Sequence, residues 1–345
     1  MKLRHPQSGA LYVLQDDGLV RVEQGEQVGL FRADGRYVSG ALRHADPHFA
    51  GWVAGAGAAP RALPAAPRSS GVAIPELSSP RIRGAQPQGR QPDMDLGLSG
   101  RKVLVTAASR GIGLAIARCF ADQGADVALC ARASGGLESA RKELEARGAK
   151  VFVKSVDVAD GEALKAFVGE AAAALGGLDV FVANASAGAG QGEAAWQANF
   201  DIDVMSAARG VQAALPFLTK SDAASVVFIS STAALEYLGV AQPYNAMKAA
   251  LIAHANDLSQ ALARQGVRVN VVSPGPIYFE GGNWQMIEQT MPAIYKMAQA
   301  QCAIGRMGTP DEVARVVVFL ASPAASLVTG ANVVVDGGFT KRVAY

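Results

Sequence analysis

The sequence predicts an α/β fold built on a doubly wound, seven-stranded parallel sheet, preceded by a small β-meander and a Pro/Ala-rich linker. Three observations carry this prediction. Seven short apolar runs are unbroken and rich in β-branched residues, stretches of helical period separate them, and a glycine-bearing loop follows the first run directly. The chain has 345 residues, half of them apolar and 18% charged, which excludes wholesale disorder. At roughly 150 residues per domain this length suggests two domains, or one large domain with an appendage. The 32 basic residues against 30 acidic ones argue against a dedicated nucleic-acid binder.

In chain order, residues 11–43 alternate apolar stretches with Asp-Gly turn chemistry, as in Asp17-Gly18 and Asp34-Gly35. This predicts three or four hairpin-linked strands, and residues 1–52 form a small β-rich module. Residues 53–94 hold seven of the sixteen prolines, with many Ala, Gly and Ser, and predict a flexible linker. From residue 95 onward the pattern is that of repeated βαβ units. The runs fall at 103–105, 127–129, 151–153, 180–182, 226–229, 267–271 and 333–335, with helices expected at 137–147, 162–175 and 196–218.

The loop after the first run reads Thr106-Ala107-Ala108-Ser109-Arg110-Gly111-Ile112-Gly113 and leads into a helix. Glycines there let the backbone turn tightly and approach a pyrophosphate whose charge sits at the helix N-terminus. The next strand ends Cys130-Ala131-Arg132, without the Asp or Glu that would hold a free ribose 2′-hydroxyl. Arg132 beside that place and Arg110 within the loop suit a 2′-phosphate, because guanidinium forks match phosphate oxygens. The cofactor expected on this logic is NADP(H) rather than NAD(H).

Tyr244 and Lys248 stand four apart, one turn along the same helix face, and Pro243 just before them suits a helix start. A free phenol titrates near 10, and a fixed cation beside it favours the phenolate. Ser231 lies thirteen residues before Tyr244, just past a strand, where a hydroxyl would reach the carboxyl edge of the sheet. Taken singly, a Tyr and a Lys at this spacing would be an ordinary surface pair. The ordered set of phosphate loop, strand-end serine and Tyr/Lys pair is not.

With these motifs in order, residues 96–345 resemble the short-chain dehydrogenase/reductase family, and 3-oxoacyl-reductase-like members in particular. The resemblance implies a Rossmann-type sheet and hydride exchange between a nicotinamide and a ketone or secondary alcohol. It implies Tyr244 as general acid/base, Ser231 as the group polarising the carbonyl, and Lys248 as the hold on the nicotinamide ribose that also keeps the tyrosine poised. It further implies cofactor contacts by Asp157 and Val158, by Asn184, and by Pro274, Gly275 and Ile277. Five positions depart from the family pattern. Ala107 replaces the first glycine of the loop, Ala183 and Ser186 alter the Asn-Asn-Ala-Gly segment, Asp203 takes the place of a helix Asn that supports a proton relay, and Phe279 takes that of a threonine. Asp203 is included in the catalytic set.

Between residues 277 and 303 an aromatic- and methionine-rich stretch matches the family's substrate lid, which suggests a hydrophobic or 3-oxoacyl-type ketone. Ala241, seven before Lys248, stands where an enoyl reductase would need Tyr. The competing reading is a catalytically weak NADPH-binding sensor or scaffold whose N-terminal module binds a partner. His44 and His48, separated by Asp46 and Pro47, do not make a metal site, and no metal is expected. His254 reads as packing, and Cys119, Cys130 and Cys302 as apolar filling. No targeting signal or membrane-length apolar run is present, so the expected location is cytoplasmic. The family resemblance implies a homotetramer or homodimer.

Overall fold

The computed structural model describes residues 2–4, 10–33, 35–45, 50, 95–239 and 241–342. The predicted linker 53–94 and the Asp46-Pro47-His48 stretch lie outside the described residues. The chain divides into two compact units, Met1–Pro87 and Gln88–Tyr345.

The first unit holds a five-stranded antiparallel sheet in sequential order: β1 (Lys2–Arg4), β2 (Leu11–Leu14), β3 (Val20–Gln24), β4 (Gln27–Phe31) and β5 (Tyr37–Gly40). Glycines 18 and 25 take φ of +81° and +61° in its turns, the left-handed region that favours glycine. Tyr12, Val20, Val22, Phe31 and Leu42 make its small core. The strand count exceeds the three or four expected. The additional strand is Lys2-Leu3-Arg4, paired with residues 11–13, and three residues with one apolar member carry no alternating signal.

The second unit contains the seven-stranded parallel sheet, one strand at each predicted run. These are β6 (Lys102–Val105), β7 (Asp126–Ala131), β8 (Val151–Ser155), β9 (Val180–Ala183), β10 (Ser225–Ile229), β11 (Arg268–Pro274) and β12 (Asn332–Val335), in the order β12-β11-β10-β9-β6-β7-β8. Strand side chains alternate between two cores. Val103 and Val105 join Ile116 and Phe120 on one face, while Leu104 joins Phe167, Phe181 and Phe228 on the other. Helices α1 (Gly111–Asp122), α2 (Ser134–Glu145) and α9 (Pro310–Ala321) contribute to the first core; α3 (Gly161–Leu175), α5 (Ser206–Leu218) and α6 (Pro243–Leu262) contribute to the second.

Connections leave β6 toward β7 and β8 on one side, and β9 starts the run on the other. The strand order therefore reverses between β6 and β9, and the crevice at their carboxyl ends is where such sheets bind ligands. The loops carrying residues 106–113, 184–188, 231 and 275–282 all leave carboxyl ends of strands, so parallel topology alone gathers them at one edge.

The helix expected at 196–218 is broken into three. Helix α4 (Glu193–Asn199) passes into a π-helical segment, Phe200–Met205, before α5 begins. Such wide turns recur at functional sites because they re-aim side chains, and Asp203 is buried here. The lid stretch holds two helices, α7 (Asn283–Thr290) and α8 (Pro292–Gln301), with Pro292 opening the second.

Arg268 anchors the far side. Its guanidinium donates to Leu320 O, Ala321 O and Ser322 O at 2.6, 3.0 and 3.0 Å, and to Val328 O at 3.2 Å, closing the carboxyl end of α9. Burial pulls its pKa below the usual arginine value. Arg268→Met leaves these carbonyls without their donor; the expected cost is about 2–3 kcal/mol, read as a lower urea midpoint at unchanged slope.

Candidate active site

The phosphate loop begins with a clip between neighbouring strand ends. Thr106 Oγ1 accepts from the N–H groups of Asn184 at 2.9 Å and Ala185 at 3.2 Å. The Asn184 amide donates back to Thr106 O and Ala107 O, at 3.0 and 3.1 Å. Asn184 thus braces the loop from β9, which leaves no room for a side chain at Gly113: a Cβ there would stand 2.5 Å from Asn184 Nδ2 and 2.6 Å from Ala107 O. Ala107 adopts φ +52°, the only positive φ outside glycine among the described residues. The turn the family makes with glycine is kept by alanine, at a strain of roughly 1–2 kcal/mol.

Gly111 has φ +57° and opens α1, whose N-terminus has no side-chain cap and no acidic residue in its first turn. Uncapped first-turn N–H groups and the positive end of the helix dipole suit an anion, so this loop fits a dinucleotide pyrophosphate. Ser109 is half-buried against Gly136, and Ile112 half-buried against the core. At the end of β7, Arg132 is exposed, its carbonyl receiving the Ser155 hydroxyl at 2.7 Å. Arg110 engages elsewhere, donating to Gly281 O at 2.8 Å. Asp157 is exposed and accepts from Ala159 N at 3.0 Å, while Val158 beside it is buried. Pro274 and Ile277 are buried, and Gly275 lies so close to Asp336 that a Cβ would stand 2.5 Å from the Asp336 Cβ.

Helix α6 starts at Pro243 and carries Tyr244 and Lys248 on one face. Lys248 is buried; its ammonium lies 5.7 Å from the centre of the Tyr244 ring. It donates to Ile229 O at 2.9 Å and forms an ion pair with Asp203 Oδ1, also at 2.9 Å. The pair is enclosed, with side-chain exposures of 2% for the lysine and 0% for the aspartate. Asp203 Oδ2 accepts from Ala187 N at 2.9 Å, tying the loop after β9 to α6. Ser231 is half-buried two residues beyond β10 and caps a single 3₁₀ turn, its Oγ accepting from Ala233 N at 3.1 Å. Helix α6 packs on that turn and on the π-helical segment.

Several participants escaped the sequence reading. Ser230 donates to Lys248 O at 2.8 Å, the Ile229 carbonyl holds Lys248, and Asn199 donates to Gly188 O at 3.2 Å and Ala195 O at 2.9 Å. A single serine or asparagine outside such an ordered set leaves no periodic trace, so no signal marks Ser230 or Asn199. His254 packs beside Phe228, ring centres 6.0 Å apart. Burial pushes the Cys119 thiol to about 11 and the Cys130 thiol to about 12, which suits filling rather than nucleophilic chemistry. Among the described residues no three His, Cys, Asp or Glu gather as a metal site, and no helix is long and apolar enough to cross a membrane.

A family profile described as Enoyl-(Acyl carrier protein) reductase matches residues 106–340, well over half of the chain. Isoepoxydon dehydrogenase patN of Penicillium expansum is 39% identical over 247 residues, 70% of this chain and 95% of that one. Dehydrogenase/reductase SDR family member 4 of Oryctolagus cuniculus is 35% identical over 254 residues, 71% of this chain and 96% of that one. This chain belongs to the short-chain dehydrogenase/reductase family. Among solved structures it is similar to L-sorbose reductase from Gluconobacter frateurii complexed with NADPH and L-sorbose. The TM-score is 0.68 at 31% identity, covering 72% of this chain and 100% of that one. As a short-chain dehydrogenase/reductase it is an oxidoreductase acting between CH–OH and C=O with a nicotinamide cofactor. Its departures from the family pattern are then specific: a carboxylate on Lys248, and an aromatic ring, Phe279, packed on Gly111 of the phosphate loop.

Proposed function

We propose that this protein is an NADP(H)-dependent oxidoreductase acting on a ketone or secondary alcohol of apolar, 3-oxoacyl-type character. The observation that carries the reading is the buried Lys248 ammonium fixed beside the Tyr244 ring at the sheet edge where the dinucleotide crevice opens. When bound, the nicotinamide supplies or takes the hydride. In the reducing direction the Tyr244 hydroxyl gives its proton to the carbonyl oxygen, and the Ser231 hydroxyl donates to the same oxygen as charge develops on it. The Lys248 ammonium donates to Ile229 O and pairs by charge with Asp203, and a further N–H would donate to the cofactor ribose. Asp203 acts as a positioning residue through Lys248.

When bound, the cofactor would be held by Thr106, Ser109, Arg110, Gly111, Ile112 and Gly113, by Asp157 at the adenine, by Val158 and Asn184, and by Pro274, Gly275 and Ile277 toward the nicotinamide. Preference for NADP(H) rests on Arg132 at the end of β7 and on the missing acid there. A carbonyl rather than an enoyl substrate follows from the Tyr/Lys spacing of four with Ala241 upstream. The apolar substrate rests on the lid, where Met286, Met291 and Met297 remain exposed while Tyr278, Trp284 and Tyr295 pack inward on Ala298 and Phe339. Three unpaired cysteines suit a reducing compartment such as the cytoplasm. Exposed Trp196 and Phe200 on the long helical stretch favour a homodimer or homotetramer, which mass measured in solution tests.

The test of function is oxidation of NADPH by the full-length protein across a panel of ketones, from 3-oxoacyl thioesters to small polar ketoses. Turnover on apolar members supports the reading. NADPH binding without turnover on any of them favours the sensor instead.

A further inference from the structure

Outside the dinucleotide crevice a cavity of about 420 Å³ lies where the second lid helix meets the start of α9. None of Ser231, Tyr244, Lys248 or residues 106–113 lines it. Its lining includes the bridge that joins the segment after β11 to the segment before α9. There Gly308 N donates to Pro276 O, and Tyr278 N donates to Gly308 O, both at 2.9 Å. Tyr295 and Gln299 face it from α8, and Thr309, Glu312 and Arg315 from the start of α9.

Among the described residues that line the cavity, Glu312 is the one acid, and it is already engaged. Arg306 donates to its two oxygens at 2.6 and 2.9 Å, and Thr309 N donates to it at 2.9 Å. The Arg306 guanidinium above all holds this carboxyl at about 2. With Arg306 matched in this way, Arg315 is the unmatched cation. Its exposed guanidinium makes no hydrogen bond or ion pair among the described residues, and even Asp311, one turn earlier on α9, does not pair with it. The Gln299 side chain, half-buried, makes no hydrogen bond among them either. Beside these groups the Tyr278 and Tyr295 rings meet edge to face, centres 5.9 Å apart, next to the buried Met307. Burial, and then the Glu288 carboxylate, push the Tyr295 phenol up, so its hydroxyl stays a donor.

We propose that this cavity binds a small planar aromatic carboxylate, at a site separate from the catalytic crevice. Arg315 presents a planar fork to the carboxylate, while the Gln299 amide and the Tyr295 hydroxyl supply further donors. The tyrosine pair and Met307 form the apolar corner that takes the ring. A few convergent polar groups beside aromatic walls, in a volume of this size, are what small-molecule sites are made of.

The test is calorimetric titration of the full-length protein, without nucleotide, using 2-naphthoate as probe. Neutral 2-naphthamide and saturated decahydro-2-naphthoate serve as comparators. The expected result is one 2-naphthoate per chain with Kd of about 1 mM or tighter. The amide binds at least about tenfold more weakly, and the saturated acid about threefold more weakly. Arg315→Met, an exposed change outside the catalytic set, weakens 2-naphthoate at least about tenfold, and Arg315→Lys recovers part of the loss. Gln299→Leu gives a second variant, with a loss of about threefold. Thermal midpoints check folding. Saturating NADPH leaves the 2-naphthoate affinity within about twofold, because the two sites do not overlap. No binding by wild type at about 10 mM probe overturns the proposal. Equal affinity for acid and amide overturns the carboxylate, and equal affinity for the saturated acid overturns the aromatic ring. Binding that NADPH displaces, or that neither Arg315→Met nor Gln299→Leu changes, places the probe elsewhere and overturns the site. Failure to bind NADPH or to turn over a ketone bears on the proposed function alone.

Discussion

Tyr244→Phe lowers kcat by about 10³-fold while NADPH affinity stays within about twofold of wild type. The substitution removes one oxygen and keeps the ring, which is half-buried at the first turn of α6. The neighbours of the ring are therefore undisturbed, and the thermal midpoint stays where it was. What disappears is the proton the substrate oxygen receives as hydride arrives, an interaction made in the transition state and not in the ground state. Losses of that kind appear in kcat and kcat/KM together, with substrate binding unaffected. Steady-state rates on the best ketone of the panel, beside a calorimetric NADPH titration, separate the two quantities. A variant that kept wild-type kcat would remove Tyr244 from the chemistry and leave the ordered set of motifs without its central member.

The sheet was legible because a parallel strand buried on both faces needs an unbroken β-branched run such as Val226-Val227-Phe228-Ile229. The site was legible for a related reason. Topology delivers the ends of those strands to one edge, so a serine past β10 and a glycine past β6 share a crevice whatever lies between them. What escaped depends on local geometry with no period. A wide helical turn at Phe200–Met205 does not alter composition, yet it decides that Asp203 is buried and points at Lys248. Three residues at Lys2–Arg4 are too few to signal a strand, and the register of Tyr12 and its neighbours supplies what their sequence lacks. The left-handed Ala107 is invisible for the opposite reason: sequence rules reserve that conformation for glycine, and here the Asn184 amide donates to the carbonyl of an alanine that adopts it.

Asp203 carries the largest expected effect on stability. Its Oδ1 lies 2.9 Å from the Lys248 ammonium in an ion pair, and its Oδ2 accepts from the Ala187 N–H at 2.9 Å. Only a group with two acceptors satisfies both. An asparagine in its place must turn its NH₂ toward either the ammonium or the Ala187 N–H, so one donor faces another in either orientation. Asp203→Asn therefore costs about 2–3 kcal/mol despite its near-identical shape, and Asp203→Ala, which strands a buried ammonium, costs about 3–5 kcal/mol. Turnover falls in both, because the ammonium is no longer fixed beside the Tyr244 ring. Removing the charge as well gives a sharper measurement. Lys248→Met in the Asp203→Ala background restores about 1–3 kcal/mol relative to Asp203→Ala alone, since no unpaired charge then remains inside. Activity stays absent in that double variant, so stability and catalysis separate. Urea midpoints for the two single variants and the double variant give the coupling directly. Were Asp203→Asn as stable and as active as wild type, the carboxylate would be doing nothing an amide could not, and Lys248 would be held by the Ile229 carbonyl alone.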